Sequence, residues 1–258
     1  MPASDNVERF NRNANGYARF RPRYPRALLS RLADTIAEAP AETGLVVADI
    51  GCGTGIFTRQ LAETIPAVPV VGVEPAAAMI AEARATESPG NVRYVLGSAE
   101  HTPFPDAGCV AITAATAAHW FDRPLFYAEA QRVLVPGGVL AIVEYMRNTA
   151  GSPATAALEN YLRRFEQKAY DRPDYASEFA ALDGFGSPAA WTDSTELQLT
   201  PDDFVGLALS SSHSRAAVEA QGEEKTRAEL AEVAKAQVDA DGQIAYRYLF
   251  RLFTAVRT

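Results

Sequence analysis

A strand–glycine loop–helix unit at 45–64 dictates the fold class before anything else in this chain. Leu45–Ile50 is a short apolar run, and Gly51-Cys52-Gly53-Thr54-Gly55 follows it directly. Ile56–Thr64 then has helical composition. Glycines at such a turn let the backbone take positive φ and pass close to a ligand. The helix start behind them offers free N–H groups to a negatively charged group. The alternation continues. Pro69–Glu74, Asn91–Leu96, Cys109–Ala115 and Val139–Val143 read as further buried strands, with helices at Ala76–Thr86 and Phe121–Leu134. Apolar strands alternating with helices predict a parallel sheet covered on both faces, a doubly wound α/β architecture.

Glu74 closes the second strand, where an acid can accept hydrogen bonds from two ribose hydroxyls. The loop spacing narrows the ligand. A dinucleotide loop reads G-x-G-x-x-G, whereas this one reads D-x-G-x-G-x-G. Asp49 would oppose a diphosphate and attract the ammonium of an amino acid. S-adenosylmethionine (SAM) carries such an ammonium, and a sulfonium besides. The plainer reading is that Asp49 only caps the turn.

With these motifs in register, the chain resembles the class I SAM-dependent methyltransferases. Asp49-Ile50-Gly51-Cys52-Gly53-Thr54-Gly55 is similar to their first motif, and Gly72-Val73-Glu74-Pro75 to their ribose-binding strand end. Gly97-Ser98-Ala99-Glu100, followed by Pro103-Phe104-Pro105-Asp106, resembles the adenine loop. Arg132–Leu140 resembles the family's helix–turn–strand segment. Tyr17 with Arg21-Pro22-Arg23-Tyr24-Pro25, and His119-Trp120-Phe121-Asp122, resemble the subgroup containing trans-aconitate methyltransferase.

The resemblance implies a Rossmann-like fold and roles for individual residues. Asp49 and the backbone at Gly51, Cys52 and Gly53, within the loop that Gly55 ends, would hold the methionine portion of SAM. Glu74 would take the ribose. Pro75 and Met79 would pack on adenine, with Ser98, Ala99 and Glu100 at its edge. Ala115 would lie near the methionine portion. Tyr17 and Arg21 would close over the cofactor, the arginine suiting its carboxylate. The product would be S-adenosylhomocysteine (SAH).

The acceptor side is less defined by sequence. His119, just past the fourth strand, is the first candidate base, since its ordinary pKa suits proton removal near neutrality. It reads equally as a residue shaping the pocket. His213 is a second substrate-side candidate, and Trp120 and Tyr145 flank the strand ends as substrate walls. A carboxylate acceptor needs no base, while a phenol or alcohol does. O-methylation of an acid or a secondary metabolite is the favoured expectation. C- or N-methylation, a SAM-binding protein without transferase activity, and an NAD-dependent oxidoreductase are the alternatives.

The rest of the chain bounds these readings. Domain organisation is expected to be a single domain over 1–258. It comprises N-terminal helices (1–44), a cofactor core (45–145), a helical cap without strands (146–192) and a C-terminal part of the sheet (193–258). Thr195–Thr200 and Ile244–Val256 complete an expected seven strands, mostly parallel, with helices at Pro25–Glu38, Pro201–Ser212 and Glu223–Val238.

The formal net charge of -8 disfavours nucleic acid and anionic membrane surfaces, although Arg9, Arg12, Arg19, Arg21, Arg23, Arg26 and Arg31 form a basic stretch. No apolar run approaches the ~18 residues of a membrane span. Cys52 and Cys109 have no metal-type spacing and read as small buried groups, which fits a reducing cytoplasm. No metal is expected. A small-molecule acceptor and a monomer or homodimer are.

Overall fold

Val46–Ile50 (β1) is buried at every position, as is Val70–Glu74 (β2), and Cys109–Ala115 (β4) is buried throughout except at its last residue. Strands this apolar need cover on both faces, so they lie inside a parallel sheet. The computed structural model describes residues 22–40, 42–165 and 172–258. The part of the expected N-terminal helical segment before residue 22, with Tyr17 and Arg21, lies outside these residues.

Among the described residues the sheet has seven strands, in the order β3-β2-β1-β4-β5-β7-β6. Val92–Leu96 (β3) is the edge on one side. Leu134–Arg147 (β5) follows β4 in parallel. Ile244–Arg257 (β7) then inserts antiparallel between β5 and Phe185–Leu199 (β6). The sheet is therefore Rossmann-like, mostly parallel, with one long antiparallel hairpin.

Helices cover both faces. Arg26–Ala37 (α1) turns Leu28, Leu29, Leu32 and Ile36 inward. Each such side chain contributes about 1.5–3 kcal/mol on leaving water. They pack with Phe57 and Leu61 of Ile56–Thr64 (α2) and with Val139, Ala141 and Val143 of β5. The opposite face collects Ile50, Ile112 and Ile142 against Arg123–Val133 (α4) and Tyr175–Ala180 (α6). Ala77–Ala85 (α3) covers β2 and β3. Asp122 caps α4 by accepting from the Leu125 amide.

The segment expected to be a strandless cap divides differently. β5 runs on to Arg147, Pro153–Arg163 (α5) and α6 supply the helices, and β6 already begins at Phe185. Gly186, Pro188 and the alanines at 189 and 190 hide this strand from an alternation test. Ser187 sits at φ 51, and the ladder slips between Gly186 and Ala189. A bulge of that kind tolerates proline on an edge strand, and the long pairing with β7 supplies what local propensity lacks. Pro201–Ser210 (α7), Arg215–Gln221 (α8) and Glu223–Lys235 (α9) pack beside the hairpin, and α8 had no clear sequence signal. No helix among the described residues is long and apolar enough to cross a membrane.

Candidate active site

The glycine loop leaves β1 with Gly51, Gly53 and Gly55 all in the left-handed region, at φ 68, 56 and 78. Gly51 is doubly constrained, since a Cβ there would stand 2.6 Å from that of Ala117. Gly55 caps α2, and a Cβ on it would collide with the Tyr94 hydroxyl. Arg59 braces the loop from behind, donating to the Thr54 carbonyl and to the Tyr94 hydroxyl.

Two carboxylates flank this loop. Asp49 is fully buried and accepts from Thr58 at 2.6 Å and Thr113 at 3.1 Å. Burial pushes its pKa up to about 7, against the pull of those two hydroxyls and with a smaller push from Glu74. Glu74 is held by two backbone amides, Ala76 on Oε1 and Gly53 on Oε2, both at 3.0 Å. Burial raises its pKa too, and the two amides oppose the rise. The Cys52 thiol is driven well above its ordinary range, first by burial and then by both carboxylates, so it is a neutral thiol.

One cavity gathers most of the expected residues. Asp49, Gly51, Cys52, Gly53, Glu74, Pro75, Met79, Ser98, Ala99, Glu100, Ala115, Trp120 and Tyr145 all line it. It runs across the carboxyl ends of β2, β1, β4 and β5, where open α/β sheets bind ligands.

Three expected residues stand elsewhere. Gly55 is not among the described lining residues, because it faces Tyr94 beneath the loop. His119 lies in the short turn Ala118–Trp120, its ring 4.9 Å from that of Trp120, and only the indole reaches the lining. His213 belongs to the turn Ser212–Ser214 after α7, outside the described lining, with its Nδ1 3.2 Å from the Ser211 hydroxyl.

Residues outside the expected site set complete the wall. Pro22, Tyr24, Ile56, Phe57, Thr116 and Phe121 line the cavity with Tyr145. Tyr24 is clamped by Gln60, which accepts from its amide at 3.0 Å and donates to its carbonyl at 3.1 Å. Its ring meets Phe57 edge-on at 4.8 Å and Tyr145 at 6.1 Å. One available signal was Thr116 itself, a polar residue directly after a buried strand. Tyr24 carried none beyond its Arg-Pro-Arg-Tyr-Pro segment.

A family profile described as a methyltransferase domain matches residues 48–142. A demethylmenaquinone methyltransferase of Deinococcus radiodurans is 31% identical over 163 residues, covering 58% of this chain and 67% of that protein. The chain belongs to the class I SAM-dependent methyltransferases. A methyltransferase-named protein of Dictyostelium discoideum is 34% identical over 156 residues, 60% of this chain and 56% of that one. A trans-aconitate 2-methyltransferase of D. radiodurans is 37% identical over 111 residues, 42% and 41% of the two chains. A solved structure described as a type II methyltransferase of Anaeromyxobacter dehalogenans superposes with a TM-score of 0.70 at 29% identity, covering 92% of this chain and 98% of that one. The chain spans about half the length of the first curated relatives it matches. The family profile falls on the cofactor half of the chain, residues 48–142.

Proposed function

We propose that this chain methylates an oxygen of a small organic acceptor, using SAM as the donor. The observation that carries the reading is the facing pair of carboxylates around the left-handed glycine loop, opening into one cavity with an aromatic far end. The donor set fits the cofactor. Glu74 presents a carboxylate pre-aimed by two amides, suited to vicinal ribose hydroxyls. Asp49 suits the ammonium, and the backbone at Gly51, Cys52 and Gly53 suits the rest of the methionine portion. Pro75 and Met79 give an apolar bed for adenine, with Ser98, Ala99 and Glu100 at its rim and Ala115 beside the methionine portion. Tyr17 and Arg21 join this set by resemblance alone.

SAM supplies a methyl group already activated by a sulfonium, and SAH is the product. The protein's task is to hold the acceptor oxygen in line with that methyl. Positioning of this kind is worth up to about 7–11 kcal/mol of the barrier. The oxygen lone pair forms the new C–O bond as the S–C bond breaks, its electron pair staying on sulfur. The acceptor proton passes to water. His119 has no base role in this proposal, because Trp120 and not the imidazole lines the cavity. The relatives named for trans-aconitate and demethylmenaquinone support a small acceptor, and the two free cysteines suit a reducing cytoplasm.

Isothermal titration with SAH and, separately, NADH tests the cofactor. Micromolar SAH binding with no NADH binding is expected. The reverse would return Asp49 and Glu74 to a dinucleotide site.

A further inference from the structure

Thr116 follows β4 at φ 56, in the left-handed region. A β-branched residue there is a backbone outlier, and such outliers persist only where the surroundings over-determine them. Here they do. The Thr116 amide donates to the Val143 carbonyl at 2.7 Å, and its hydroxyl pairs with that of Tyr24 at 3.1 Å. Tyr24 is fixed in turn by the Gln60 clamp and by Phe57. Two hydroxyls from distant parts of the chain are thus locked together on a wall whose described residues include Ile56, Phe57, Phe121 and Tyr145.

We propose that the Tyr24–Thr116 hydroxyl pair is the seat of the acceptor's nucleophilic hydroxyl, and that the acceptor is an uncharged hydroxy-substituted aromatic compound. This rests on the cofactor reading above. A hydroxyl nucleophile gives up its proton as the C–O bond forms; the paired hydroxyls, which can both accept and donate, take that hydrogen bond and pass the proton on to water, the base in this step. Flat rings pack edge-on or offset against Phe57 and Tyr145, which favours an aromatic body. With Asp49 paired to the cofactor's ammonium, the carboxylates of Glu74 and Glu100 still face the same cavity. A further anion would be repelled by them and would lose its water against carbon walls. An ammonium would demand an acid at the seat, and the two groups there are hydroxyls.

The test uses the SAH-loaded protein titrated calorimetrically with 2-naphthol, 2-naphthoate and 2-naphthylmethylammonium. The naphthol should bind at least tenfold tighter than either charged probe. Tyr24→Phe and Thr116→Gly should each weaken it at least fivefold, with SAH affinity held within twofold. Glycine adopts φ 56 without strain, so that variant keeps the local fold, and Thr116→Ser should restore the wild-type affinity. Tighter binding of either charged probe, no naphthol binding, or unchanged naphthol affinity in either variant overturns the seat. Failure of the wild type to bind SAH overturns the cofactor reading, and the seat with it.

Discussion

At the nucleoside end of the cavity, Asp49 to Thr54 and Glu74 to Met79 occupy two successive strand–helix turns, whereas the other end collects Tyr24, Phe57, Thr116 and Tyr145 from four separate places in the chain. The first end is local. Its donors are fixed by backbone conformation and by amides a few residues away, as when Ala76 and Gly53 hold Glu74. The second end is tertiary. Its geometry exists only once α1 has docked against α2 and β5 and carried Tyr24 to Thr116. A cofactor site of the first kind can be reused with many acceptors, because the acceptor wall comes from elements that vary independently.

The sharpest way to break this contrast is Gly51→Ala. Positive φ and a 2.6 Å approach to Ala117 act together there. A loss of about 2–4 kcal/mol in denaturant unfolding is expected, with SAH binding abolished or severely weakened. A change below about 1 kcal/mol would mean the loop bends freely. Next comes Glu74→Ala, expected to weaken SAH by about 1–3 kcal/mol in calorimetry, since the ribose loses a charged acceptor. Unchanged affinity would move the ribose elsewhere.

Acidity probes the same end through Asp49, whose pKa is about 7 when folded, against an ordinary value of 3.8. Between about pH 4 and pH 7 the folded chain keeps a proton that the unfolded chain has lost. Stability without ligand therefore falls as pH rises through that window and levels off above it. Asp49→Asn should remove this slope. An ammonium needs the ionised form, so SAH affinity should rise towards pH 7, by about tenfold per unit below it, and then flatten. A flat profile from pH 5.5 to 8 would take Asp49 out of the ammonium site.

Two smaller effects belong to the other end. Thr116→Gly should leave thermal stability within about 1 kcal/mol, because relief of backbone strain offsets the lost hydroxyl contact and the added chain entropy. A larger loss would make Thr116 a structural residue first. His119→Ala should lower turnover by less than about threefold in steady-state assays, given a folded protein. A loss of ~10²–10⁴ would restore it as a base.

Much of the cofactor end was legible in sequence because its signals are short-range. The order of glycines, the acid before them and the acid closing the next strand each follow from a single turn. Asp49, Glu74, Met79 and Ser98 accordingly line the cavity together. Gly55 illustrates a limit. Its spacing marked it for the loop, yet its positive φ serves α2 and the close approach of Tyr94 rather than the cavity. The histidines show another. Proximity to a strand end placed His119 near the site, but the turn at Ala118–Trp120 sends the next side chain inward instead.

The primary sequence determined the parallel half of the sheet, the loop and the class of cofactor, since apolar strand runs and glycine conformations act over a few residues. Tertiary structure alone decided the long β6–β7 hairpin, whose edge strand lacks local propensity and is held by its partner. It alone also brought Tyr24, Gln60 and Thr116 together, because hydrogen bonds between residues so far apart in the chain exist only after the helices have packed on the sheet.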